Sequence, residues 1–265
     1  MSIRARIENL GARAIGGAAT GFDLARVFGR TLAGTVRGGR PPGEVANQMY
    51  VIGNKSVLFV AVTMGFIGMV MVYQTCLQLN RITGDLSQVG GQIIKLLCQD
   101  FGPTVTALML ATRVGAGIAA EIGSMKVTEQ VDALRMSGVT PVDYLVVPRF
   151  IASVVMTYVM TVFGVFIAYA AGGMTAHSSF GVNPRIFFDL SQVEWFDFIL
   201  GSTKAISYGM AIPVVSGFCG LRAKGSSEGV GWATTAAVIG SSFAVIFLDF
   251  VISGIGLIVR QGGLG

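Results

Sequence analysis

The chain has 265 residues, of which 52% are hydrophobic and only 12% charged, with a net charge of +5. Soluble domains carry about 25% charged residues; half that share, with a mean hydropathy of +0.69, excludes an ordinary water-soluble globule. The 37 Gly and 12 Met suit helices packed in lipid, where small residues admit close approach and Met fills gaps.

Residues 1–50 form a basic arm with seven arginines (Arg4, Arg6, Arg13, Arg26, Arg30, Arg37, Arg40) against Glu8, Asp23 and Glu44. Ile3, Ile7, Leu10 and Ala14, then Phe22, Val27, Phe28 and Leu32, recur at helical spacing between them. That pattern predicts a helix lying in the membrane interface on anionic headgroups. The apolar spans that follow favour lipid over nucleic acid as its partner. No short apolar core with a cleavage site precedes the arm, which predicts its retention.

The remainder, 51–265, reads as one domain with spans at about 56–79, 103–121, 150–174, 198–221 and 232–259, since about 20 apolar residues cross the hydrocarbon layer. Pro103 suits the first turn of the second span. A polar stretch with mixed faces predicts a surface helix at about 122–138. The expected fold is therefore an all-α integral membrane protein, five transmembrane helices preceded by an N-terminal amphipathic interfacial helix. Lys and Arg outside the spans divide 13 to 4 in favour of a cytoplasmic N-terminus and a C-terminus on the outer side.

Soluble-enzyme chemistry finds little support. Cys76, Cys98 and Cys219 are widely spaced in apolar surroundings, and no Cys/His cluster suggests a metal site. Gly115-x-Gly117-x-x-Ala120 has dinucleotide-fingerprint spacing but sits inside a span, where Ala111, Gly115 and Ala119 suit helix packing instead. No P-loop occurs, so the chain has no ATP site of its own. Ionisable residues inside spans cost about 2.5–3.5 kcal/mol each and face partners or wet cavities. Arg113, Glu121, Lys204 and Asp249 are these residues, and interhelical ion pairing and a functional lining are equally open readings. Asp100 stands at the outer boundary of the membrane. The segment Glu121 to Leu134, EIGSMKVTEQVDAL, serves either as a connector or as a docking element for a soluble partner.

That segment, the preceding FGPTVTALMLATRVGAGIAAEIG, FIGMV in the first span, VPR at 147–149 and LDF at 248–250 together resemble the MlaE/YrbE-type, MCE-associated ABC transporter permease family over nearly the whole chain. The resemblance implies a transporter membrane subunit rather than an enzyme, in the bacterial inner membrane. It implies a homodimer with two copies of a cytosolic ABC ATPase, which bind ATP and Mg, leaving no cofactor in this chain. An MCE-domain lipid-binding protein on the outer side and a small STAS-type accessory protein are the further partners. The implied substrate is phospholipid, moved in support of outer-membrane lipid asymmetry. By the same resemblance Glu121, Met125, Thr128, Glu129, Gln130 and Leu134 couple to the ATPase, and Tyr73, Cys76, Asp100 and Phe101 line a lipid cavity at the dimer centre. Gln99 and Asp100 stand where some relatives have a basic and an acidic residue. The alternatives are an ion-coupled carrier using Arg113, Lys204 and Asp249 as relay groups, and a membrane-embedded lipid enzyme. An odd span number without an internal repeat weighs against the first, and a single His without an acid/base pair against the second.

Overall fold

The structure, a computed structural model, describes residues 20–36, 43–82, 84–189 and 192–262. The expectation of a helix through Ile3 to Ala14 falls outside them. Helix α1 covers 20–36, with Phe22, Phe28 and Leu32 exposed. It is followed by α2 (Glu44–Ile82), α3 (Val89–Val127), α4 (Gln130–Met136), α5 (Val142–Phe180), α6 (Pro184–Phe187), α7 (Trp195–Leu221) and α8 (Ser227–Gly262). The described residues hold no strand. Five helices, α2, α3, α5, α7 and α8, are long and apolar enough to cross a membrane, so the protein is an all-α integral membrane protein. They run up and down: the α3–α5 and α7–α8 connections lie at one end of the bundle, and the α2–α3 and α5–α7 connections at the other.

The helices are longer than the apolar spans within them. At 1.5 Å per residue a 39-residue helix such as α2 or α3 is roughly 58 Å long, against about 30 Å of hydrocarbon. The second of them does not begin at Pro103. It starts at Val89 and passes through Pro103 by way of a π-helical turn at Leu97–Phe101. Proline has no N–H for the usual carbonyl four residues back, and the π turn, in which the Gly102 amide donates to the Leu97 carbonyl, relaxes the register just before it. A second π turn spans Ala111–Gly115. The surface segment also departs from expectation. Instead of one helix over 122–138, α3 runs on to Val127, the chain turns at Thr128 and Glu129, and α4 follows.

Small residues set how close the helices come. At Gly68 on α2 a β-carbon would stand 2.1 Å from the Ala168 carbonyl oxygen of α5, so these two backbones touch. Around this contact Val60, Met64, Val72, Leu97 and Ala168 form one buried cluster, while Leu110, Ile118, Ile122, Val146 and Ile212 form a second toward the α3–α5 connection. Gly68→Ala is expected to destabilise the protein by about 1–3 kcal/mol, the usual cost of overpacking, because the obstacle is backbone and has no rotamer to yield. A detergent-solubilised melting curve unchanged from the parent would show that α2 and α5 separate freely.

Candidate functional site

The polar residues of the spans converge between α3, α7 and α8. On α7, Asp197, Lys204 and Tyr208 fall at i, i+7 and i+11, one face of the helix. Lys204 is fully buried and is held by two carboxylates, Asp100 from the first π turn of α3 and Asp249 of α8, the latter at 3.0 Å. One oxygen of Asp249 also accepts hydrogen bonds from the Tyr208 hydroxyl at 2.7 Å and the Thr104 hydroxyl at 3.0 Å. The close fit of α3 to α7 rests on Gly201, where a β-carbon would lie 2.0 Å from the Cys98 carbonyl oxygen. One turn further along, Asp197 is likewise buried. It accepts from the Gln99 side chain and from the Glu194 amide at 3.1 Å, with the Lys95 ammonium 3.6 Å away.

Of the two readings of the intramembrane charges, pairing is the one the geometry bears on. Lys204 and Asp249 are ion-paired, yet the seam is not sealed: the side chains of Asp100 and Asp249 remain 43% and 29% exposed. Burying an ion pair is favourable only when its remaining hydrogen-bonding capacity is used; Tyr208 and Thr104 supply that at Asp249. Arg113, in the second π turn, has no carboxylate partner among the described residues and donates to the Ser56 hydroxyl of α2 at 2.6 Å. Glu121 pairs with Arg149 of α5 at 2.8 Å. Sequence reasoning missed Thr104, Tyr208 and Asp197, and named Gln99 only as the neighbour of Asp100. The i+4 step from Lys204 to Tyr208 was the available signal, since a hydroxyl one turn from an intramembrane charge is a ready partner.

The four residues assigned to a lipid cavity do not behave alike. Tyr73 and Phe101 are exposed and Asp100 partly so, whereas Cys76 is fully buried in the core cluster with Val72, Val89 and Ile93. Cys76 therefore does not reach a ligand in this conformation: it lies three residues from Tyr73, on the inward side of α2. Four hollows of the single chain are lined by other residues, and none of the four gathers Tyr73, Asp100 and Phe101. Tyr73 packs instead against Phe180, ring centroids 5.5 Å apart.

At the α3–α5 end, Thr128, Glu129 and Gln130 are exposed at the tip of a turn, while Met125 and Leu134 are half-buried against the core and Val131 is fully buried beneath them. Glu129 is the one non-glycine described residue with positive φ, at 61°, a left-handed conformation that costs side chains other than Gly, Asn and Asp about 1–2 kcal/mol. The turn is pinned by Lys126, whose ammonium lies 2.6 Å from Asp132, and by Arg135 at 3.1 Å from the same carboxylate. The hydrogen bond from Lys126 holds the Asp132 carboxyl below its ordinary range. The pin therefore stays closed throughout the neutral range and opens only as pH falls through that lowered value. What this end of the bundle presents is a small, fixed polar ridge on a packed apolar base.

Comparison with known proteins places the sequence among relatives. A model of the family described as Permease MlaE matches residues 45–255. The chain is 36% identical over 208 residues to a probable ABC transporter permease protein of Synechocystis sp., covering 78% of this chain and 79% of that protein. It is 34% identical over 215 residues to the intermembrane phospholipid transport system permease protein MlaE of Haemophilus influenzae, covering 80% and 82%. With the chloroplastic protein TRIGALACTOSYLDIACYLGLYCEROL 1 of Arabidopsis thaliana it shares 28% identity over 235 residues, 88% of this chain and 67% of that one. On the match of the family model and of these relatives, the chain belongs to the MlaE permease family.

Proposed function

We propose that this protein is the membrane subunit of an ABC transporter that moves phospholipids or related lipids between the inner membrane and an MCE-domain partner. Through that exchange it helps maintain outer-membrane lipid asymmetry. ATP and Mg are bound by two copies of a separate cytosolic ATPase, a small STAS-type protein is an accessory, and the N-terminus is cytoplasmic with the C-terminus periplasmic. The observation that carries the reading is that one helix, α3, bears both working parts. Asp100 of the half-open seam and Thr128 of the exposed ridge lie 28 residues apart on or just beyond it, roughly 42 Å along its axis.

A polar seam open to hydrocarbon is costly, so Asp100 and Asp249 call for a cover. A second copy of the chain, enclosing a cavity that holds water and lipid headgroup, supplies one. The exposed Phe243 and Phe250 of α8 give that copy an apolar face to meet. Tyr73, Phe101 and Asp100 then face the cavity, while Glu121, Met125, Thr128, Glu129, Gln130 and Leu134 transmit the ATPase's movement, Glu121 through its bond to Arg149. ATP can drive transport only if the two cavity states bind the ATPase with different affinity. Purification from its host under mild detergent tests the assembly. Recovery of a Walker-motif ATPase and an MCE-domain protein with a dimeric permease is the expected result. A partner-free chain that still moves solutes along an ion gradient would replace this reading with that of a carrier.

A further inference from the structure

Two hollows on the flank of α7 and α8 share one helix face. The first, about 640 Å³, lies at the α7–α8 turn and is lined by Phe218, Cys219, Arg222, Lys224 and Trp232. The second, about 660 Å³, lies between α1 and the same two helices, with Leu24, Phe28, Met210, Val214 and Phe247 among its walls. Along α7 the lining steps through Met210, Val214, Phe218 and Arg222, and along α8 through Trp232, Ala236, Ala244 and Leu248. Four-residue steps keep to one side of a helix over a few turns, so the two hollows follow one another along the same flank of α7, and we join them into one groove. From Met210 to Arg222 it is roughly 18 Å long, close to one leaflet of a hydrocarbon layer about 30 Å thick with its headgroup zone.

The chemistry changes along that length. The inner stretch is apolar. The outer stretch carries two cations that form no ion pair among the described residues, and the Arg222 guanidinium lies over the Phe218 ring at 4.9 Å. Glu228, in the first turn of α8, is exposed and does not line the groove. The turn itself is fixed: Gly225 has φ +79°, and a β-carbon on Gly229 would meet the Lys224 carbonyl oxygen at 1.8 Å. The Lys224 backbone is thereby fixed two residues from Arg222, and both side chains line the hollow. A cationic mouth opening into a leaflet-long apolar trough matches one class of molecule in shape and charge.

The structure assigns to α1, α7 and α8 a resident-lipid groove that takes an anionic phospholipid, its phosphate between Arg222 and Lys224 and an acyl chain along Val214, Met210 and Phe247. The site rests on membrane residence, not on the transport reading, and lies apart from the Asp100–Lys204–Asp249 seam. Its occupant fastens α1 to the helices that carry that seam.

The test uses the chain's two Trp. In a Trp195→Phe background, Trp232 reports the mouth of the groove alone. The protein is placed in nanodiscs containing acyl-brominated phosphatidylglycerol or, at equal mole fraction, acyl-brominated phosphatidylcholine. Phosphatidylglycerol is expected to quench Trp232 with a preference of roughly twenty-five-fold, about fivefold for each cation. Arg222→Gln with Lys224→Gln brings that preference to unity, and Arg222→Lys with Lys224→Arg keeps most of it. Equal quenching by the two lipids in the parent, or a preference that survives the Gln pair, overturns the proposal. Loss of the preference on adding millimolar inorganic phosphate would assign the cations to a free phosphate and remove the lipid. Disulfide capture between Ala236→Cys residues of two copies would assign the groove to the second copy instead. ATPase association, measured on the same variants, is expected to stay at the parent level, so failure of the groove and failure of the transport reading are told apart.

Discussion

Lys204→Met is expected to destabilise the protein by about 3 kcal/mol and to abolish lipid transport. Among the described residues Lys204 is the only cation paired with Asp100 and Asp249 and is itself fully buried, so its loss leaves two carboxylates facing each other across α3 and α8. Removing one member of a buried ion pair costs about 3–5 kcal/mol; the lower end applies because both acids are partly exposed and can recruit water. Replacing charged partners together is far less costly than orphaning one. Lys204→Met with Asp249→Asn is therefore expected to recover at least half of the loss, since the amide still accepts from Tyr208 and Thr104. Melting of the purified protein measures the first effect, and ATP-dependent lipid movement in proteoliposomes with the ATPase the second. The double variant should be folded and inactive, which separates the seam's structural part from its functional one. A single Lys204→Met variant as stable as the parent would show that the seam does not hold the three helices together.

The seam also shows what was legible beforehand. An ionisable residue inside an apolar span is visible in any sequence, so Arg113, Lys204 and Asp249 stood out. Which of them pair, and with which hydroxyls, did not, because pairing depends on how each helix is rotated about its axis. In a helix that is apolar on all sides, rotation leaves no periodic trace of the kind a water-facing helix shows. That explains Cys76: on an even apolar background, three residues from Tyr73 carry it from an exposed face to the core. The number of spans was readable for the opposite reason, since length and hydropathy alone decide it. Pro103 misled because a proline that ordinarily opens a helix was absorbed by a π turn, and π turns have no compositional signature.

At the other end of α3, Glu129 allows its side chain to be judged separately from its backbone. Its φ of 61° strains any residue with a β-carbon, so Glu129→Gly is expected to stabilise the fold by about 1 kcal/mol. Glu129→Lys keeps the strain and reverses the charge. If the ridge docks the ATPase through this carboxylate, both variants lose coupling, by roughly tenfold for Gly, as for a charged hydrogen bond worth about 1.5 kcal/mol, and by more for Lys, where a like charge meets the partner. Stability and coupling then move in opposite directions for Gly, an outcome that general damage to the turn cannot produce. The measurements are the melting point of the permease alone and the ATPase activity stimulated by its lipid-loaded form. If Glu129→Gly were stabilised and fully coupled, the carboxylate would have no part in docking, and the contact would pass to the backbone of the turn and to Thr128 and Gln130 beside it. A strained glutamate at an exposed point of the connection is kept against its own conformational preference, and that is the physical reason to look for its partner in solution rather than within the fold.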